Sequence, residues 1–238
     1  IQQSILNGNL IIDTESKRVG EINGLSVMSI GEYTFGKPSK ITVSTFIGKD
    51  GIVNIEREVN KSGDIYDKGV LILSGFIGEE FAKEKPLSIV ASITFEQCYG
   101  PIDGDSASST ELYALLSSLS GIPINQGIAT TGSINQKGMI QPIGGVNEKI
   151  EGFFKVCEFK GLNGNEGVII PHQNLENLML EDNVIEAVEQ GKFNIYAIKD
   201  VKEGIEILTG IPYGVRNDNS GFEIGTIGYF IERNLKKI

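Results

Sequence analysis

The sequence predicts an α+β domain, with a strand-rich first half followed by mixed helices and strands. Two observations carry this prediction. Through most of the first hundred residues apolar side chains alternate with polar ones, as in half-buried strands, and beyond Gly100 and Pro101 they recur at every third or fourth position, as on helices. A third observation sets the scale: 238 residues, 40% of them hydrophobic, are enough for a proper core in one domain or two small ones, and disorder is excluded.

The opening segment from Ile1 reads as strand-like, and a chain that starts without Met is expected to be a piece of a longer polypeptide. Gly31-Glu-Tyr-Thr-Phe-Gly36-Lys37 fits the start of a phosphate-binding loop. Pro38, however, stands where a Ser or Thr hydroxyl must bind magnesium, and strand residues follow where a helix N-terminus is required. A hairpin turn is the better reading, and no ATPase is expected in this chain. Ile41, Val43, Thr45 and Ile47 then alternate with Thr42, Ser44 and Phe46, and Val53, Ile55 and Val59 alternate with Asn54, Glu56 and Glu58; both stretches read as strands. A longer strand places Leu87, Ile89, Ala91, Ile93 and Phe95 on one face and stops at the Gly100 and Pro101 turn.

Leu112, Leu115, Leu116 and Leu119 then mark a helix that starts near Ser106, and Gly121 offers a left-handed stop. A hairpin-like stretch around residues 131–138 leads into a second helix, striped by Val146, Ile150, Phe153, Phe154 and Cys157. Strands are read at 168–170 and 193–198, with helical segments at 175–180 and 183–189. Asp200 and Glu203 form a capping box ahead of Val201, Ile205 and Leu208. Residues 213–222, rich in Gly and Asn, read as a loose connection to a short amphipathic segment apolar at Ile227, Phe230, Ile231 and Leu235.

Thirty-one acidic against 21 basic residues give a net charge of −10, which repels a phosphate backbone, so nucleic acid is not an expected partner. The longest apolar stretch, within residues 70–77, falls far short of the roughly 20 residues of a spanning helix. A soluble, cytoplasmic chain with no membrane partner is expected. Cys98, Cys157 and the single His172 lack the spacing of a metal site or a disulfide framework, so no metal is expected and both cysteines read as structural.

Pro101-Ile-Asp103-Gly104-Asp105-Ser106-Ala107-Ser108 lies between a buried strand and a helix, where a side chain can be exposed beside unpaired N–H groups. Ser106 is therefore a candidate nucleophile, with helix capping as its plain alternative. A serine hydroxyl needs a base within hydrogen-bond reach. His172 is one candidate, since Gly104-Asp-Ser106-Ala-Ser108 is one residue from a G-x-S-x-G elbow, although the parallel βα units of that fold are missing. Lys149 is the other. It falls at the edge of the Val146, Ile150 and Phe153 stripe, where burial can lower its pKa from about 10.4 toward neutrality.

Asp103-Gly104-x-Ser106-Ala107, Thr131-Gly132-Ser-Ile134, Gly138, Pro142-Ile-Gly144-Gly145 and Glu148-Lys149 together resemble, in order and spacing, the proteolytic domain of the Lon proteases. Gly20-Glu-Ile-Asn-Gly24-Leu25 and residues 68–75 resemble that family's upstream strands, so the match runs from about residue 18 to 212. The resemblance implies a Lon-type proteolytic domain over 1–212, with 213–238 as a C-terminal extension carrying a short helix. It implies a serine endopeptidase in which Ser106 is the nucleophile, Lys149 the general base, Thr131 the hydroxyl that orients the lysine amine, and Asp103 a carboxylate beside the dyad that tends to keep Lys149 charged at rest. It also implies a homo-hexameric ring that degrades unfolded or damaged proteins in the cytoplasm. ATP and magnesium enter only if an ATPase module precedes the domain, and this domain itself is expected to hold no cofactor. Asp105 with Ser108 replaces the Pro and Gly of many bacterial members and is more like the archaeal-type and Lon-like branches. A ring-forming scaffold without peptidase activity is the alternative from outside the enzymes.

Overall fold

Val168 and Ile170 pack into one apolar cluster and Ile169 into another, so the strand between them is covered on both faces. Ile22 and Leu25 on a second strand divide between the same two clusters. The computed structural model describes residues 7, 9–83, 85–217 and 221–237, and the strand reading of the opening segment lies outside them. In chain order the elements are β1 (Lys17–Arg18), β2 (Glu21–Ile30), β3 (Tyr33–Ile47), β4 (Gly51–Asn54), α1 (Ile55–Glu58), α2 (Asp64–Phe81), β5 (Ile89–Phe95) and α3 (Ser108–Ser120). There follow β6 (Ile124–Asn125), β7 (Ile128–Thr130), β8 (Ser133–Ile134), β9 (Ile140–Gln141), α4 (Val146–Lys160), β10 (Gly167–Pro171) and a 3-10 helix (His172–Asn177). Last come α5 (Asp182–Glu189), β11 (Asn194–Ile198), α6 (Val201–Thr209), β12 (Arg216–Asn217), β13 (Gly221–Phe222) and α7 (Ile227–Leu235).

The main sheet has seven strands in the order β11-β10-β7-β2-β3-β5-β4. β2, β3 and β5 pair antiparallel; β7, β10 and β11 join parallel on one side, and β4 joins β5 parallel on the other. One face carries α2, α3, α6 and α7 through Val70, Leu73, Leu112, Leu116, Ile205 and Ile231. The other carries α4 and α5 through Ile150, Phe153, Phe154, Val184 and Phe193. The α+β class is borne out, as is the hairpin reading of residues 31–37, since β2 turns into β3 at Gly31 and Glu32.

Five local expectations are corrected. The strand read at 53–59 ends at Asn54, whose side chain accepts the Arg57 N–H and starts α1, so a cap overrides the alternation. Residues 68–75, read as strand, lie inside α2. Tyr66, Gly69, Val70, Leu73, Phe76 and Ile77 are its buried face at helical spacing, and continuous apolar character hid that period. The helix expected from near Ser106 starts at Ser108, and the segment at 175–180 is the 3-10 helix His172–Asn177. Residues 213–222 include the β12–β13 pair, and Tyr213, Phe222, Ile227 and Ile231 enter the main core, so the C-terminal helix packs on its own domain.

Candidate active site

The site forms where β7 ends and the two helical layers meet. Alternation along this short strand sorts the side chains: Ile128 faces the α3 layer and Ala129 the α4 layer, while Thr130 bonds back to α3. Thr130 Oγ1 donates to Thr110 Oγ1 at 2.7 Å, and Thr110 Oγ1 to the Thr130 carbonyl at 3.1 Å. The next residue, Thr131, then faces α4.

Ser106 sits in the turn ahead of α3 and does not cap it. The N-cap is Ala107, which makes no side-chain capping bond, so capping does not account for the Ser106 hydroxyl. The turn is tied to the β7 exit from both directions: Gly132 N–H donates to the Ser106 carbonyl at 2.8 Å, and Ser109 N–H donates to the Gly132 carbonyl at 3.1 Å.

Lys149 lies in the first turn of α4, which begins after Gly145 in the left-handed region at φ 67°. The helix can press close to β3 because glycines face each other there. A β-carbon on Gly36 would come within 1.9 Å of the Glu148 carbonyl oxygen and 2.8 Å of the Lys149 Cα, and one on Gly152 within 2.3 Å of the Gly36 carbonyl oxygen. Lys149 is consequently only 3% exposed. Its Nζ is 3.0 Å from Ser106 Oγ and 3.2 Å from Thr131 Oγ1. Burial lowers the Lys149 pKa to about 8, against the pull of Asp105 and Glu148, whose negative charges favour the ammonium.

Ser106, Lys149 and Thr131, singled out in the sequence, are thus brought together. Asp103 makes its hydrogen bonds elsewhere. Its Oδ1 accepts the N–H of Gly104 at 2.8 Å and of Tyr66 at 3.3 Å, so it braces the loop against the start of α2. The carboxylates that act on Lys149 are Asp105 and Glu148. His172 starts the 3-10 helix and lines a separate cleft with Met139, Gln141, Pro142, Leu175 and Lys199, so it is not brought to Ser106. Gly36 was visible in the sequence only as half of a misleading phosphate-loop pattern. Its role as the seat of α4 depends on a strand and a helix more than a hundred residues apart. Among the described residues no group of three or more His, Cys, Asp or Glu side chains could hold a metal, and no helix is long and apolar enough to cross a membrane.

The family model of the Lon protease (S16) C-terminal proteolytic domain matches residues 77–209, a span that holds Ser106, Thr131 and Lys149. The chain belongs to the Lon proteolytic-domain family. This Lon domain is 44% identical over 215 residues to a Lon protease homologue of Escherichia coli strain K12, covering 90% of the present chain and 37% of that protein. It is 42% identical over 237 residues to a Lon protease homologue of Haemophilus influenzae, covering 98% and 39%, and 31% identical over 208 residues to an archaeal Lon protease of Methanocaldococcus jannaschii, covering 83% and 29%. The Lon domain thus spans less than two fifths of the length of each of these relatives.

Proposed function

We propose that this Lon domain is a serine endopeptidase that hydrolyses peptide bonds with a Ser106–Lys149 dyad, as the proteolytic part of a Lon or Lon-like protease acting on unfolded or damaged proteins. The observation that carries the reading is the buried Lys149 amine held between Ser106 Oγ and Thr131 Oγ1. A lysine with a pKa of about 8 is neutral in a useful fraction of molecules near neutral pH. The neutral amine keeps an N–H for Thr131 and turns its lone pair to the Ser106 O–H.

In the acylation step Lys149 Nζ takes the Ser106 proton as Oγ bonds to the scissile carbonyl carbon. The tetrahedral adduct collapses as the C–N bond breaks, and the Lys149 ammonium returns the proton to the departing amine. Water then gives a proton to Lys149 and attacks the Ser106 ester, and the proton passes back to Oγ as the acid leaves. Thr131 holds the amine in line throughout, and the low polarity around Lys149 keeps its resting state from being wholly charged.

The substrate lies in extended form along β2. Among the described residues β2 pairs with β7 only through Asn23 and Gly24, so from Leu25 to Ile30 the edge next to the Thr131 exit can accept a further strand. Backbone pairing of this kind is indifferent to side-chain sequence, which suits unfolded chains as substrates. Assembly into a closed ring, the homo-hexamer implied by the family resemblance, would keep folded proteins from Ser106. Digestion of an unfolded protein by the full-length protein and by its Ser106→Ala variant tests the reading: cleavage that persists in Ser106→Ala rejects the dyad.

A further inference from the structure

Tyr66 reaches both flanks of the nucleophile's loop. Its backbone N–H, in the first turn of α2, donates to Asp103 Oδ1 at 3.3 Å, three residues before Ser106. Its hydroxyl donates to Glu111 Oε1, five residues after Ser106. Asn54, which caps α1, adds Nδ2–H bonds to the Tyr66 hydroxyl at 2.5 Å and to Glu111 Oε1 at 3.4 Å. Tyr66 and Glu111 are each 1% exposed, and Asn54 is wholly buried.

A carboxyl in the first turns of a buried helix is an expensive choice where an aliphatic side chain would pack without desolvation. The groups around it show what it is joined to. Gly63 N–H donates to the Ile102 carbonyl and Ile102 N–H to the Lys61 carbonyl, each at 2.8 Å, so the start of α2 and the loop before Ser106 are laced together. Glu111 extends that lacing to α3. The chain from Ile102 to Glu111 is therefore gripped at both ends by the residues that open α2, with Ser106 presented between.

We propose that Tyr66 and Glu111 form a positioning pair for the reaction: the Tyr66 hydroxyl holds Glu111 while its backbone N–H holds Asp103, and the two grips together set the approach of Ser106 Oγ to Lys149 Nζ. This rests on the dyad reading above. Neither residue touches the reacting atoms; both act through the loop that carries Ser106. Reaction rates are steeply sensitive to such placement, since a displacement of about 1 Å costs on the order of 100-fold. Burial, with the charge of Glu56 on α1 also opposing ionisation, raises the Glu111 pKa to about 8 despite the Tyr66 hydrogen bond. The carboxyl is thus largely protonated at neutral pH, and glutamine is a close mimic of its working form.

The test uses the full-length protein, a fluorogenic peptide and four variants: Tyr66→Phe, Glu111→Gln, Glu111→Leu and the double Tyr66→Phe/Glu111→Leu. Tyr66→Phe keeps the ring packing and the backbone N–H while removing the hydroxyl. The expected result is a kcat lowered about tenfold in Tyr66→Phe and in Glu111→Leu with KM within about twofold of wild type, a double variant no slower than the worse single one, and Glu111→Gln close to wild type at pH 7. Wild-type kcat in Tyr66→Phe, or a Glu111→Gln variant as slow as Glu111→Leu, overturns the proposal, as does a loss that only tracks the fraction unfolded by circular dichroism. Should Tyr66→Phe unfold, the Glu111→Gln and Glu111→Leu pair, compared at a temperature where both are folded, decides in the same way. Ser106→Ala and Lys149→Ala run alongside. If these stay active the dyad reading fails, whereas if they are inactive and Tyr66→Phe is fast only the positioning pair fails.

Discussion

Gly36 on β3 and Gly152 on α4 meet backbone to backbone, and this contact sets how deeply Lys149 is buried. A β-carbon on Gly36 would come within 2.8 Å of the Lys149 Cα itself. Gly36→Ala is therefore expected to push α4 outward, lowering stability by about 1–3 kcal/mol as overpacking does. Peptidase activity should fall further than that loss explains, because the displaced atom belongs to the proposed base. Denaturant melts and kcat on the same sample check both, and an unchanged kcat would show that the helix seat does not govern the dyad.

Ser106→Ala and Lys149→Ala should each cut peptide hydrolysis by on the order of 10³-fold or more, with the double variant no worse than either, since the two groups act as one unit. His172→Ala should leave the rate near wild type, because His172 lines a different cleft. A His172→Ala variant as inactive as Ser106→Ala would reverse the assignment of the base.

The buried amine makes a paired prediction about pH. Activity should rise through an apparent pKa near 8 as Lys149 loses its proton. Folding follows the same group. The folded-state pKa is about 8 against 10.5 in the free side chain, so between these values the unfolded chain holds a proton that the folded chain lacks, and stability from this residue rises with pH across that window. It is lost again as pH falls toward 8. Lys149→Met should therefore be inactive yet more stable than wild type at pH 7 by about 1–2 kcal/mol, once the lost hydrogen bonds are set against the relieved desolvation. That advantage should shrink above pH 10, and a Lys149→Met protein less stable than wild type at pH 7 would contradict the lowered pKa.

Thr131→Ala removes the hydroxyl 3.2 Å from Lys149 Nζ, with its 3.4 Å bond to the Ser106 carbonyl, but leaves the backbone-to-backbone ties of the β7 exit in place. The expected effect is a kcat lowered roughly tenfold with a stability loss of about 1 kcal/mol, and Thr131→Ser should recover most of the rate. If Thr131→Ser were as slow as Thr131→Ala, packing of the methyl group rather than orientation of the amine would be the role of this residue.

Periodicity and motif order determined a good deal by themselves. The alternating strands at 41–47 and 87–95, the leucine face of α3 and the stripe of α4 are local consequences of which side chains must leave water, so they were legible residue by residue. Ser106, Thr131 and Lys149 were legible because their short motifs occur in one order and spacing. Tertiary structure decided the rest. Val53 to Val59 alternates like a strand, but Asn54 turns the chain into a helix, and the apolar run at 70–73 reads as a strand although it lies in α2, where of these four residues only Val70 and Leu73 are buried and Leu71 is exposed. Asp103 sits in the same motif as Ser106, yet backbone N–H groups of Gly104 and Tyr66 draw its carboxylate to the α2 side, leaving Asp105 and Glu148 to act on Lys149. The lowered pKa of Lys149 is of the same kind. Lysine at the edge of an apolar stripe announces only that burial is available. Whether it is buried depends on Gly36 and Gly152 letting a helix rest on a distant strand, and close approach of that sort has no local signal because desolvation is a property of the assembled surroundings.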